Sequence, residues 1–270
     1  VARRELAGRS IVVTGGAGGI GAALGRRFVS SGGRVALLDI DKERVGAAAA
    51  EIGPAAAGFE CDVTDEEACR RALADVAAYQ GPVDVLVNNA GLAQRSAFAE
   101  TDLAVIHRIM DINFWGAVHC TKAALPTLIT RRGAVAVVSS VAGFAPLLGR
   151  TGYAASKHAL HGLFGTLRAE LRPAGVDVTI VAPSFVDTPL RRHTLGGNGT
   201  VTTHPQSRVG RMMTPDQAAA HIASAIERRR GFVVVGAVGK ATRVLTAVAP
   251  ALYERIMARS LRSELRPGAG

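Results

Sequence analysis

The chain has 270 residues, of which 48% are hydrophobic and 20% charged, a balance that suits one folded domain with a full core and excludes a low-complexity or disordered chain. Its formal charge of +10 raises nucleic-acid binding, but the basic residues lie in scattered pairs (Arg26–Arg27, Arg131–Arg132, Arg191–Arg192) and one run, Arg228–Arg230, with no interleaved aromatics, which argues against it. No apolar run reaches the roughly 18 residues of a membrane span and no secretory leader is visible, while Cys61, Cys69 and Cys120, odd in number and without CxxC spacing, argue against a disulfide framework and a metal site and fit a reducing, cytoplasmic setting.

In chain order, the first strand-like run is SIVVTG at 10–15, followed by a glycine-rich turn and a helical stretch at 19–31. RVALLD at 34–39 precedes a helical stretch at 41–51, and AAGFE at 56–60 precedes one at 65–79. VDVLVN at 83–88 leads to a long helical stretch at 101–130, in which Pro126 should force a kink or an end. AVAVVSS (134–140), VDVTIVAP (176–183) and FVVV (232–235) follow, with helical stretches at 153–172 and 214–229 between them. Thr64-Asp65-Glu66-Glu67 reads as a capping box, and Thr214-Pro215-Asp216 as a second helix start with proline in the first turn.

Strands that alternate with helices imply βαβ units, and strands this continuously apolar are covered on both faces. Right-handed crossovers then predict an α/β fold, a Rossmann-type doubly wound parallel sheet of about seven strands flanked by helices. The reading is of a single domain over 1–270, with its core at about 8–236 and a lid in the irregular stretch at about 190–213.

The turn after the first run places Gly15, Gly19 and Gly21 in the spacing TGxxxGxG rather than GxGxxG. Glycine permits a sharp turn and lets a pyrophosphate approach a helix N-terminus. The next run ends at Asp39, where a carboxylate can accept both ribose hydroxyls of an adenosine. It would also repel a 2′-phosphate by about 4 kcal/mol at ~4 Å and an effective dielectric of ~20. With no basic residue in the turn at Gly16 to Gly18, Asp39 favours NAD over NADP.

Tyr153 and Lys157, in TGYAASKHAL, lie one turn apart on a predicted helix. A phenol with a pKa near 10 is a poor base at neutral pH, and lowering it by about three units takes roughly 4 kcal/mol of anion stabilisation. A neighbouring ammonium supplies part of this, and the positive ring of an oxidised nicotinamide more. Tyr153 thus reads as general acid or base toward a secondary alcohol or ketone, with Lys157 as its electrostatic tuner and a ligand of the nicotinamide ribose. A half-buried helix with a snorkelling lysine would show the same pair.

Together, TGGAGGIG, Asp39, CDVTD (61–65), NNAG (88–91), Asn113, the serines 139–140 and YxxxK occur in the order of the short-chain dehydrogenase/reductase family, which the chain resembles over about residues 8–236. The resemblance implies a dinucleotide held by Gly15, Gly19, Ile20 and Gly21, with Asp39 on its ribose and Asp62 and the Val63 backbone on its adenine. It places Asn89, Ala90 and Gly91 along the cofactor, and Pro183, Val186 and Thr188 around the nicotinamide carboxamide. It implies a catalytic set of Asn113, holding a water in a proton relay, Ser140, thirteen residues before Tyr153 and so preferred to Ser139, and Tyr153 with Lys157. It also implies a homodimer or homotetramer. Ser184 departs from the family, which has glycine there; a positive φ at this position would strain a serine.

The expected mouth of the site is apolar, formed by Val141, Phe144, Leu147, Leu148, Leu190, Met212 and Met213, and suits a hydrophobic steroid-, acyl- or terpenoid-like alcohol or ketone. The segment 240–262 reads as a basic amphipathic helix, interrupted at Pro250, with Val244, Val248, Leu252 and Ile256 on one stripe. Three placements stay open for it: a cap on the site, a contact with a second subunit, or a peripheral membrane contact. The competing functional readings are an NADPH-dependent carbonyl reductase and a dinucleotide-binding regulator without turnover.

Overall fold

Seven short runs of β-branched and small apolar residues become seven strands: β1 (Ser10–Thr14), β2 (Arg34–Asp39), β3 (Ala56–Glu60), β4 (Val85–Asn88), β5 (Ala134–Val138), β6 (Asp177–Pro183) and β7 (Phe232–Val235). In the computed structural model, which describes residues 2–188, 193–202 and 212–262, they form one parallel sheet in the order β3-β2-β1-β4-β5-β6-β7. Every residue of β1, β4 and β5 is buried, so these strands are hydrophobic on both faces, whereas the edge strand β3 is half exposed. The order reverses between β1 and β4, and such a switch point opens a crevice at the carboxyl ends of the strands.

Period-two alternation divides the core. Val12, Leu86, Val135 and Val137 face α3 (Glu66–Gln80), α5 (Gly116–Arg131) and α6 (Thr151–Leu171), which contribute Leu73, Leu128 and Phe164. Ile11, Val13, Val87 and Ala136 face α1 (Gly19–Ser30), α2 (Lys42–Ile52) and α7 (Pro215–Glu227), which contribute Leu24, Phe28, Val45 and Ile222.

Several boundaries differ from the expected ones for local reasons. The helix at 66–80 is capped by Asp65, whose carboxylate accepts the Glu67 and Ala68 amides, and not by Thr64, which bonds back to Asp62. At Thr214 the capping box with Gln217 does form. The stretch expected as one helix at 101–130 is α4 (Leu103–Met110), a π-helical turn at Asp111–Trp115, and α5. Pro126 does not end α5, which continues to Arg131. Pro126 and Lys122, whose carbonyl loses its helical partner, are both on the solvent side, where water serves in its place. Strand β4 begins at Val85, and just before it the buried Asp84 carboxylate accepts the Ser10 amide and pairs with Arg9 and Arg131.

Beyond β7 the expected C-terminal helix is two helices, α8 (Ala237–Val248) and α9 (Pro250–Ser260), broken at Ala249 so that Pro250 takes the first turn of the second. Half of the expected lid at 190–213, including Leu190 and Arg191–Arg192, falls outside the described residues. Its described part, 193–202, packs inward: Leu195 is buried with Val105 and Ile109, and its carbonyl accepts the Arg95 amide at 2.7 Å.

Cys61 at the end of β3, Cys69 on α3 and Cys120 on α5 are free and buried, with Sγ–Sγ separations of 3.9 Å (61–69) and 3.5 Å (69–120). Thiol–thiol contact, with Cys69 for Cys61 and with Cys120 for Cys69, followed by burial, raises the pKa of both, and a thiol held protonated is a poor nucleophile. An aromatic disulfide reagent should therefore modify none of the three in the native protein and all three in denaturant; rapid modification of the native chain would contradict this packing.

Candidate active site

The crevice at the switch point is a cavity of about 720 Å³. Its nucleotide end is built by the turn after β1. Gly15 adopts φ +66, and a Cβ there would meet the Ala90 Cα at 2.9 Å; a Cβ at Gly21 would fall 2.0 Å from the Gly15 carbonyl oxygen. Only glycine fits either position. The turn is laced to neighbouring strands: the Thr14 hydroxyl accepts the Asn89 and Ala90 amides, both at 3.0 Å, and the Asn89 side chain donates to the carbonyls of Thr14 (2.9 Å) and Gly15 (3.2 Å). Thr14, absent from the expected site residues, thus fixes where the turn begins. Gly18, Gly19 and Ile20 at the start of α1 line the cavity, so backbone amides of a helix N-terminus face the space, an arrangement that suits an anion.

Asp39 lines the cavity at the end of β2. Its carboxylate accepts the Ala17 amide at 3.0 Å and the Asp41 amide at 3.3 Å, while Asp41 caps α2 by accepting the Arg44 amide at 3.0 Å. The absence of a basic residue in the turn itself is offset in space: the Arg44 side chain reaches the same wall, close to Gly18. Asp62 and Val63 lie outside this wall. One Asp62 carboxylate oxygen accepts the Thr64 amide and hydroxyl, at 2.9 and 2.8 Å, and the Val63 carbonyl accepts the Cys69 thiol and lies 3.1 Å from the His119 ring.

Ser140, Tyr153 and Lys157 converge on the cavity, with Ala90 and Gly91 beside them. Lys157, on the buried face of α6, is 4% exposed; its ammonium donates to the Val138 carbonyl at 3.0 Å and lies 5.7 Å from the centre of the Tyr153 ring. Burial lowers its pKa to about 8. Tyr153 differs from expectation: burial raises the phenol's pKa, and the groups that oppose this are the Ser140 hydroxyl, hydrogen-bonded to it, and the charge of Arg150, not Lys157. Both serines line the cavity, but Ser139 is hydrogen-bonded to His161 at 2.8 Å, and Ser140 is the one hydrogen-bonded to Tyr153. Asn113 sits behind the wall in the π-helical turn, where it exchanges two hydrogen bonds with the Leu92 backbone (2.7 and 3.0 Å) and donates to Ser156 at 2.9 Å. It ties the loop after β4 to α6.

Pro183, Val186 and Thr188 line the cavity where β6 ends. The chain here pairs with the segment before α7, the Phe185 carbonyl accepting the Met213 amide and the Asp187 amide donating to the Met213 carbonyl, both at 2.9 Å. Ser184 is not strained: the non-glycine residues with positive φ among those described are Arg132 and Arg229. Its hydroxyl occupies the place where a Cβ on Gly236 would lie, 2.4 Å from that position.

The apolar wall comes from elements other than those expected. Val141 and Leu147 line it, but Phe144 packs on the rings of His161 and Phe232, Met213 belongs to the core on the α7 side, Leu148 and Met212 stand off the wall, and Leu190 is outside the described residues. Val238, Leu245, Tyr253, Met257 and Leu261 of the C-terminal helices form it instead, with the Tyr253 hydroxyl donating to the Pro146 carbonyl at 2.8 Å. The segment therefore caps the cavity, but the expected stripe faces outward: Val244, Val248 and Leu252 are exposed, and of its four residues only Ile256, also exposed, reaches the cavity. Arg95 and Arg150, which no motif marked, are 5% and 7% exposed and also line the cavity.

His161 supports this wall from behind. Burial, followed by the charges of His158, Lys157 and Arg243, lowers its pKa from 6.5 to about 4. The folded protein thus holds it neutral where the unfolded chain protonates it, and stability should fall as pH drops from 6.5 toward 4. The thermal midpoint of the wild type should decline across this window more steeply than that of His161→Gln; parallel curves would remove His161 as the cause.

A model of the short chain dehydrogenase family matches residues 9–197. The chain is 34% identical to the dehydrogenase/reductase SDR family member 7B of Xenopus laevis, over 96% of this chain and 83% of that one, and 33% identical to its Bos taurus counterpart, over 94% and 82%. The chain belongs to the short-chain dehydrogenase/reductase family and is an oxidoreductase of the dehydrogenase/reductase 7B-like kind. Among solved structures, a short chain dehydrogenase from Burkholderia cenocepacia in complex with NADP matches with a TM-score of 0.80 and 25% identity, over 94% of this chain and 99% of that one. A 3-ketoacyl-(acyl-carrier-protein) reductase from Brucella melitensis complexed with NADH matches with a TM-score of 0.76 and 25% identity, over 85% and 96%. Among the described residues no helix is long and apolar enough to cross a membrane.

Proposed function

We propose that the protein interconverts a secondary alcohol and a ketone on an apolar substrate with a nicotinamide dinucleotide, NAD(H) in preference. The observation that carries this is one continuous cavity with the glycine turn and Asp39 at one end and Ser140, Tyr153 and Lys157 along its wall. The residues fit such a cofactor: glycines leave room for a pyrophosphate at the start of α1, and Asp39 offers acceptors for a diol. When bound, the dinucleotide supplies or accepts the hydride. Tyr153 gives its phenolic proton to the carbonyl oxygen, or takes the alcohol's proton in the reverse direction. Ser140 hydrogen-bonds the reacting oxygen, favouring the more anionic state. The Ser140 hydroxyl and the Arg150 charge favour the phenolate, and Lys157 returns protons to the phenol's surroundings, a task suited to an ammonium with a pKa of about 8. Asn113 keeps the loop after β4 and α6 in register. The C-terminal helices exclude water and contact an apolar substrate.

Tyr153→Phe should lower turnover of a lipophilic secondary alcohol by about 10²–10⁴-fold while dinucleotide binding, followed by nicotinamide fluorescence, stays nearly unchanged. Full activity in the variant would refute the role. Dinucleotide binding with no turnover of any alcohol or ketone would point instead to a binding protein without catalysis.

Arg44 favours a second reading, NADP(H), because its guanidinium reaches the wall beside Asp39 and is suited to a 2′-phosphate. Paired titrations separate the two. If the Asp39 charge dominates, NADH binds more tightly than NADPH and Asp39→Ser narrows the gap; if Arg44 dominates, NADPH binds more tightly and Arg44→Ala reverses the order.

A further inference from the structure

The cap over the cavity has a second face. On α8, Leu245 lines the cavity, while Val244 and Val248, one turn apart, are 64% and 79% exposed. On α9, Tyr253, Met257 and Leu261 line it, while Leu252 and Ile256, again one turn apart, are 48% and 47% exposed. Ile256 serves both faces, since it also lines the cavity. A row of aliphatic side chains at helical spacing, left in water, marks a surface that another body covers.

The same helices carry Lys240, Arg243, Arg255 and Arg259, with Arg262 just past the end of α9, and all five are exposed. Lys240 precedes Val244 by one turn, and Arg255 and Arg259 follow Leu252 and Ile256 by three residues, so cations border the apolar row on both helices. Arg243 lies over the Phe232 ring, 4.2 Å from its centre, which leaves its charge uncompensated. None of the five forms an ion pair among the described residues, whereas Arg26, Arg44, Arg70 and Arg71 elsewhere on the surface each meet a carboxylate. Over 237–262 the one carboxylate is Glu254.

These features select the occupant. A second copy of the chain would set the same cations against its own, a like-charge contact that disfavours pairing. Four aliphatic side chains, each already partly covered, also fall well short of the about 800 Å² per partner that a stable dimer buries. An apolar row bordered by uncompensated cations matches instead the boundary between acyl chains and anionic head groups, where aliphatic side chains enter the first and long basic ones reach the second. We propose that the outer face of α8 and α9 docks on an anionic lipid bilayer, lying along its surface without crossing it. The ceiling of the cavity then rests against lipid. The proposal concerns the outside of the cap and stands or falls independently of the catalytic reading.

Sedimentation of the full chain with vesicles tests it. Phosphatidylcholine vesicles with about 30% phosphatidylserine should bind the protein about tenfold or more tightly than vesicles of phosphatidylcholine alone, and added salt should shrink the preference. Arg255→Gln with Arg259→Gln should weaken that binding about tenfold, and Val248→Ser with Leu252→Ser should weaken it by about as much. All four positions are exposed and none lines the cavity, so thermal midpoints and dinucleotide affinity should match the wild type. The whole chain is basic, so a control removes the same charge elsewhere: Arg228→Gln with Arg230→Gln, before the amino end of β7 and so at the end of the sheet opposite the cavity, should leave binding within about twofold. Absence of binding, equal binding to both vesicles, no loss in the serine pair, or an equal loss in the control overturns the proposal. A local probe reads the same face. Because the three native thiols are buried, a nitrobenzoxadiazole label on Val248→Cys should brighten and shift to the blue on the anionic vesicles, and the same label on Arg230→Cys should not; identical responses overturn the assignment to this face. If the chain ignores vesicles and sediments as an oligomer that Val248→Ser with Leu252→Ser dissociates, the face belongs to a second copy and the membrane proposal fails.

Discussion

The constraint on which the site depends is the burial of one ammonium. Lys157 is 4% exposed and has the Val138 carbonyl as its hydrogen-bond acceptor at 3.0 Å. A cation in such surroundings loses hydration that one neutral acceptor does not replace, hence its lowered pKa. The fold tolerates this because the surrounding frame is rigid: β5 supplies the carbonyl, α6 supplies the lysine, and Asn113 fastens the loop at Leu92 to Ser156, one residue before Lys157. A group held near its point of proton exchange is suited to passing protons, so the energetic cost of burial and the chemistry are aspects of the same placement.

Much of this was legible in the residues. All seven strands were, because a parallel sheet covered on both faces needs continuous apolar runs, and VVT, ALL, VLV and AVAVV have no other common explanation between helices. The glycine turn was legible because Gly15 and Gly21 answer steric demands. What failed at the level of elements failed for tertiary reasons. Thr64 lost the cap to Asp65 because Asp62 claimed its hydroxyl, and Pro126 was harmless because it faces solvent. The π-helical turn carrying Asn113 had no local signal; it accompanies the two hydrogen bonds between Asn113 and the Leu92 backbone.

The site was legible as far as motifs reach. The choice of Ser140 over Ser139 followed from the interval to Tyr153 that the family resemblance implies. The origin of the apolar wall did not, since α8 and α9 return to the cavity from the far end of the chain. Arg95 and Arg150 were hidden for a similar reason: it takes the hydrogen bonds of Ser96 with Gly149 and of Gly152 with Gln94 to bring their segments together. Arg44 carried no signal in the sequence, because a compensating charge is expected within the turn and here arrives from the first turn of α2. Each omission concerns a contact between distant segments, which periodicity and spacing do not encode.

The two C-terminal helices meet at a single non-helical residue, Ala249, and close the cavity from outside the sheet, with Tyr253 anchored to Pro146. None of their residues donates a strand to the sheet or a group to proton transfer. The molecule therefore separates the groups that handle protons from the ceiling that covers them. Alterations at the residues of 237–260 that face the cavity, such as Leu245 and Met257, would change its ceiling while leaving the turn, the lysine and the tyrosine, which belong to other elements, in place.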